Sequence, residues 1–292
     1  MVKTPLHPLS PEFDLDAYLA RLRYDGPREP TFETLRSLCE LQPACIPFEN
    51  IDPFLGRPPN LAITALQAKL VARRRGGYCY ELNLLLREAL LSLGMQVTGL
   101  AARVVWMQPP DAPLRARSHT VLKVDLPGKS AGSFIADAGF GGRLLGSPLR
   151  FEPGLVQETR VGRDRIVESR GEYAVEADMA DGWSPRYRFT LGAYLPIDYE
   201  PLNWYTATRP GSLFGNNLVI ERLTPAWRAN LLNDRLTEQR HGEPARSRRI
   251  DTASELGRVL NEIFDLDPPV SADELFDRIP KGLDGPYIPS QV

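Results

Sequence analysis

At 292 residues, against about 150 per domain, the chain has room for two domains and a third small lobe, and enough length to bury a core. Hydrophobic residues at 42% and charged residues at 25% are ordinary for a globular protein and exclude a disordered chain. Lys plus Arg number 35 against 37 for Asp plus Glu, so no overall charge is available to attract nucleic acid or an anionic membrane. The three cysteines, Cys39, Cys45 and Cys79, show no C-x-x-C spacing, which fits a reducing cytoplasm better than a disulfide framework. Residues 1–11 contain no apolar leader, and no run of about 18 uncharged apolar residues occurs anywhere, so neither export nor membrane spanning is expected.

From residue 13 to about 94 the apolar spacing is helical, with Thr64-x-x-Gln67 read as a capping box. The clearest helix covers 78–93, where Leu82, Leu85, Leu86, Ala89, Leu90 and Leu93 form one face after Gly76-Gly77 and before Gly94. From Val97 the period changes. Segments 97–106, 119–126, 133–138, 155–161, 165–167, 172–177 and 186–191 are short, rich in β-branched and aromatic residues, and separated by turns such as Pro127-Gly128 and Gly162-Arg163-Asp164, predicting an antiparallel sheet or barrel. Helical spacing returns at Thr252-x-x-Glu255 and Ser271-x-x-Glu274. The order is α, then β, then a mixed C-terminal lobe, without internal repeats.

Cys79 falls in the first turn of the strongest helix, behind Arg75-Gly76-Gly77. A free cysteine is more often packing than chemistry, but an electropositive helix mouth with two glycines beside it suits a nucleophilic sulfur. Cys39 and Cys45 lack such an approach and read as packing. Among three histidines, His7 and His241 sit in polar or Pro-rich stretches and read as exposed, whereas His119 begins an alternating strand directly after an irregular segment. Asp137 interrupts the apolar run Ser133-Phe-Ile-Ala-Asp137, and a buried carboxylate needs a partner. A hairpin folded at Pro127-Gly128 brings Asp137 and His119 to nearby rungs of neighbouring strands, with a register uncertainty of about two or three residues. Asp137 would then orient an imidazole directed at Cys79.

These residues resemble a known family. Arg75-Gly-Gly-Tyr-Cys79-Tyr-Glu-Leu-Asn83, Ile46-Pro-Phe-Glu-Asn-Ile-Asp52, His119 with its strand, Asp137-Ala-Gly-Phe-Gly141 and Asn203-Trp-Tyr-Thr-Ala-Thr208 are similar to the signature blocks of the arylamine N-acetyltransferases. The resemblance implies an α+β fold: an N-terminal helical bundle (1–96), a central antiparallel β-barrel (97–202) and a C-terminal α/β lid (203–292), with a papain-like Cys79-His119-Asp137 core. It implies ping-pong transfer, in which acetyl-CoA acetylates the cysteine and an arylamine, arylhydrazine or N-arylhydroxylamine takes the acetyl group. It further implies that the Gly139-Phe140-Gly141 loop borders the acyl and pantetheine site, and that no metal or prosthetic group is needed. Arg209 stands before Pro210 where many members carry histidine.

Other signals weigh less. Gly128-Lys-Ser130-Ala-Gly132 matches a nucleophile elbow in letters only, since a strand and not a helix is expected after it. Arg73-Arg74-Arg75 reads as a solvated helix face plus one structural arginine. Trp204, Tyr205 and Phe214 read as lid packing ahead of substrate lining. Two other reactions remain compatible with a thiol triad: amide synthesis in natural-product assembly, and a CoA-independent cysteine hydrolase or transglutaminase-like activity, although the Cys-Gly-Ser-Cys-Trp setting of the papain group is absent. Acceptor preference and oligomeric state, homo-oligomerisation included, stay open.

Overall fold

A computed structural model describes residues 12–109, 111–128, 131–240 and 242–281. The settings expected for His7 and His241 lie outside the described residues, as do Lys129 and Ser130 of the Gly-Lys-Ser match. The architecture is α+β, as the resemblance implied: helices, then a nearly closed antiparallel barrel, then a sheet backed by helices. Among the described residues no helix is long and apolar enough to cross a membrane.

The helical part contains α1 (Leu15–Leu22), α2 (Phe32–Cys45), the short strand β1 (Phe48–Glu49), α3 (Ile51–Phe54), α4 (Ile63–Leu66), continuing into a π-helical stretch at Gln67–Ala72, and α5 (Cys79–Ser92). Asp14 caps α1 by accepting from the Ala17 N–H at 2.9 Å, and Thr31 caps α2 by accepting from Thr34 N–H at 3.2 Å. A buried Gln42 ties three helices together. It accepts from the Tyr18 hydroxyl at 2.7 Å and donates to the Leu82 carbonyl at 3.0 Å. The capping box expected at Thr64 does not form, because α4 starts from Ala62 and Gln67 is used elsewhere. The Gln67 side chain accepts from Asp14 N–H at 2.7 Å and donates to the Glu12 carbonyl at 2.8 Å, fastening the start of α1.

The barrel sheet comprises β2 (Gln96–Val104), β3 (His119–Leu126), β4 (Gly132–Ala136), β5 (Leu149–Arg150), β6 (Val156–Thr159), β7 (Gly162–Ser169), β8 (Glu172–Met179) and β9 (Gly182–Phe189), in the order β5-β4-β3-β2-β9-β8-β7-β6. The β7–β8 connection is Arg170-Gly171, with φ of 53° and 79°. Two successive positive φ values match the strand twist of a tight hairpin, and glycine supplies the second without strain. Inside the barrel Leu100, Val121, Ile135, Ile166, Val175, Tyr187 and Phe189 form one apolar cluster.

Beyond the barrel come α6 (Tyr199–Thr208), α7 (Leu213–Asn216), β10 (Val219–Leu223), β11 (Trp227–Leu232), β12 (Arg235–Arg240), β13 (Arg246–Arg249), α8 (Ala253–Glu262) and α9 (Ala272–Arg278). The second sheet runs β1-β10-β11-β12-β13. Its inner rung Ile220, Leu231, Leu236 is aligned across three strands and packs with Leu256, Val259, Leu260 and Phe264 of the α8 region. Thr252 and Ser271 cap α8 and α9 as expected, each accepting at 3.2 Å from the N–H three residues on.

Candidate active site

α5 begins at Cys79 because the chain before it is pinned to another segment. Gly77 N–H donates to Pro47 O at 3.3 Å and Glu49 N–H donates to Gly77 O at 3.0 Å. A side chain at Gly76 would bring its Cβ within 2.2 Å of the Pro47 carbonyl oxygen, so only glycine permits this approach. Below the turn, Arg75 is buried and pairs with Glu49 at 2.7 Å and with Asp52 at 3.3 Å. It is the structural member of the arginine run. The Arg74 side chain is 63% exposed and pairs with Asp265.

Cys79 is 3% exposed, and its thiol donates to the Ser118 carbonyl at 3.7 Å. The next residue, His119, opens β3 opposite Ala102 of β2 and is 2% exposed. Asp137 follows the last residue of β4. The β3–β4 ladder pairs Leu122 with Ala136 and Leu126 with Gly132, two residues away from a direct His119–Asp137 rung. A shift of two keeps both side chains on one face of the sheet. The His119 Nε2 and Asp137 Oδ2 atoms are 2.7 Å apart, which leaves Nδ1 for the Cys79 side chain, with which the ring also hydrogen-bonds.

The electrostatics follow from burial and neighbours. Burial alone would discharge the His119 ring, but the Asp137 charge and hydrogen bond, together with Cys79, push its pKa up to about 10. Burial would likewise raise Asp137, yet the imidazole, an Asn83 side-chain donor and the Gly139 N–H hold its carboxyl below the usual range. Asn83 is a further member of the site, one to which the sequence alone assigns no role. It stands four residues after Cys79 on α5, donates to Asp137 Oδ1 at 2.9 Å and to Thr120 O at 2.7 Å, and accepts from Ala138 N–H at 2.9 Å. The one available signal was an amide at i+4 on the face that carries the cysteine.

The 139–141 segment forms a wall of the cleft. A Cβ at Gly139 would lie 2.8 Å from Cys79 Cα, and one at Gly141 would lie 2.6 Å from the Phe48 ring. Phe140 meets the His119 ring edge-on at 5.2 Å between centroids, and Tyr187 packs against the same ring at 4.9 Å. The cleft over Cys79 and His119 has a volume of about 340 Å³ and is lined by aromatic side chains, among them Phe48, Trp106, Phe140 and Phe214. Tyr205 also lines it, contrary to a purely packing role, while Trp204 is 62% exposed and lies outside it. Arg209 reaches the cleft with its guanidinium 5.5 Å from the Tyr205 ring centroid. Cys39 is buried in the core, and Cys45 points at the Leu22 carbonyl at 3.5 Å.

A sulfur, an imidazole and a carboxylate in contact at the base of an aromatic cleft can pass a group from one nucleophile to another. A sequence model of an N-acetyltransferase family matches residues 31–272. An arylamine N-acetyltransferase of Mycolicibacterium smegmatis is 42% identical over 249 residues, spanning 85% of this chain and 90% of that protein. A solved structure of an M. smegmatis arylamine N-acetyltransferase superposes with a TM-score of 0.87 at 38% identity, covering 92% of this chain and 100% of that one. The Mycobacterium marinum arylamine N-acetyltransferase in complex with CoA gives 0.84 at 36% identity, covering 91% and 99%.

Proposed function

Since the chain belongs to the arylamine N-acetyltransferase family, we propose that its acetyl transfer from acetyl-CoA to arylamines and arylhydrazines runs through an acetyl thioester on Cys79, with His119 moving the proton and Asp137 orienting His119. The observation that carries this reading is the contact chain from Asp137 through His119 to Cys79 beneath an aromatic cleft.

In the first half-reaction the Cys79 sulfur attacks the acetyl carbonyl carbon. The bond from that carbon to the CoA sulfur breaks, and CoA leaves as a thiol with a proton delivered by His119. One thioester replaces another, so little free energy is spent, and the imidazole is left neutral. In the second half the amine nitrogen attacks the same carbon and gives its proton to His119. The carbon–Cys79 bond then breaks, and the starting charge state returns. Phe140 and the other rings of the cleft suit a flat aromatic acceptor. N-Arylhydroxylamines, which offer an oxygen nucleophile of similar shape, would be acetylated by the same two steps.

On this reading the work divides among the lobes 1–96, 97–202 and 203–292: the first carries the sulfur, the second the base and its orienter, and the third closes the aromatic side of the cleft. Intact-mass measurement after incubation with acetyl-CoA alone should show one added acetyl group, mapped to Cys79, lost on adding an arylamine and absent in C79S. A hydrolase without need of CoA would instead turn over amide or ester substrates and leave no stable acetyl adduct. An unmodified Cys79 under these conditions would reject the proposed intermediate.

A further inference from the structure

The wall of the cleft is held in an unusual way. Residues 137–148, between β4 and β5, contain no regular helix or strand, so their backbone groups must find partners outside a ladder. Two consecutive residues find them on buried charged side chains. The Gly142 N–H donates to the Glu221 carboxylate of β10. The carbonyl of the next residue, Arg143, accepts from Arg186 Nε of β9 at 3.1 Å. Each anchor is itself paired: Arg186 with Asp164 of β7 at 2.6 Å, and Glu221 with Arg228 of β11 at 3.4 Å. Glu221, Arg186 and Asp164 are all at most 2% exposed.

Two lobes therefore grip the same loop, the barrel through Asp164–Arg186 and the C-terminal sheet through Glu221–Arg228. Glu221 is also the register partner of Phe48 in β1, and the Phe48 ring is what Gly141 packs upon. Immediately before the gripped residues stand Gly139, against Cys79, and Phe140, edge-on to His119. Charged hydrogen bonds between buried partners are stronger and more directional than the apolar contacts of an ordinary loop. Burying such pairs is expensive, and apolar packing would stabilise the fold as well or better. Their placement around an acyl-site wall gives them a use beyond stability.

We propose that Glu221 and Arg186 are positioning residues that set the acyl-chain range, acting by fixing Gly142 and Arg143 so that Phe140 limits the space beside Cys79. The proposal rests on the acyl-Cys79 reading above. Loss of either anchor would let the wall retreat, at a cost to the small acetyl group and with room for a longer one. In a fitted pocket one methylene is worth about 10-fold or more in discrimination.

The test is the acylation half-reaction, read as CoA release without acceptor, for acetyl-CoA and propionyl-CoA on the wild type, E221Q and D164N. Second-order rate constants of the single-turnover CoA burst are taken per folded active site and accompanied by melting curves. E221Q keeps the shape of the side chain but removes its charge, while D164N loosens Arg186 from a distance. The expected result is a shift of the acetyl-to-propionyl ratio toward propionyl by about 10-fold, with E221D restoring most of the wild-type ratio. A merely structural role would depress both donors by the same factor, and an unchanged ratio in folded E221Q and D164N overturns the proposal. Should E221Q not fold, D164N and E221D decide it by the same ratio. If the wild type itself forms no acyl-Cys79, the underlying reading fails and the positioning role fails with it.

Discussion

Asp137 is the residue at which the site is most constrained. Asn83 Nδ2 and the Gly139 N–H both donate to Asp137 Oδ1, so an asparagine placed there keeps its oxygen toward them and turns its NH2 toward His119 Nε2. That ring nitrogen must then accept, and the ring proton is forced onto Nδ1, facing the sulfur that should be losing its proton. D137N should accordingly fold, yet lose about 10³–10⁴ in the acylation rate, measured by CoA release. Its effect on stability depends on pH with a definite sign. The folded His119 pKa of about 10 lies above its ordinary 6.5, so that contribution is complete below about 6.5 and is lost as pH rises through 10. The depressed Asp137 supplies stability above its ordinary 3.8 that is lost as pH falls. Urea unfolding should show the wild type's margin over D137N widest between about pH 4 and 6.5 and shrinking above. Cys79 could be singled out in the sequence by its place at a glycine-flanked helix mouth, His119 by its place at the head of a strand after an irregular segment, and Asp137 as a carboxylate inside an apolar run. Asn83 could not, since an uncharged amide on a helix carries no comparable signal.

Among the elements, α5 was legible from end to end because its apolar spacing and flanking glycines agree. The strand spanning His119–Leu126 was read to the residue, but Gly162-Arg163-Asp164, expected as a turn, lies inside β7, whose hairpin with β6 turns at Arg160-Val161. The second sheet was implied only as part of the α/β lid that the resemblance gave, and its strands were not marked in the residues. β12 and β13, which read Arg-Leu-Thr-Glu-Gln-Arg and Arg-Ser-Arg-Arg, are charged and largely exposed, so their pairing comes from neighbours and not from alternation. α5 also carries a titrating group in its first turn. Glu81 pairs with Lys69 at 2.7 Å and accepts from the Tyr78 N–H at 3.2 Å. Burial, opposed by Lys69 and assisted by Glu49 and Asp52, pushes its carboxyl from 4.5 up to about 7. A carboxyl raised on folding binds its proton more tightly in the native state, so stability falls as pH climbs from about 4.5 through 7. Glutamine cannot ionise. The unfolding free energy of the wild type should therefore decline relative to E81Q across that interval, and parallel pH curves for the two proteins would contradict the assigned shift.

At the scale of the whole molecule, the order of helices, barrel and mixed lobe was visible in the changing apolar period. The interleaving of its first and last parts was not, because a two-residue strand has no periodicity to detect. Asn50 is the rivet of that junction. Its side chain donates to Phe214 O at 2.8 Å and Asn217 O at 2.7 Å, and accepts from Val219 N–H at 2.6 Å. N50A would strand these buried backbone groups at about 1–3 kcal/mol each. Calorimetry should report a melting temperature lowered by several degrees, with activity reduced through Phe214, which lines the cleft. A wild-type melting profile in N50A would show that water replaces the amide without loss.

The same junction dictates an order of events when the polypeptide is made. β1 and Asn50 emerge early from the ribosome, but Val219, which completes their pairing, lies 169 positions further on. At roughly 5–20 residues per second the nascent edge waits on the order of 10–30 s for its mate. Throughout that delay the mouth of the cleft has no far side, so the chain matures as a catalyst only when its closing third has been threaded back onto its opening one.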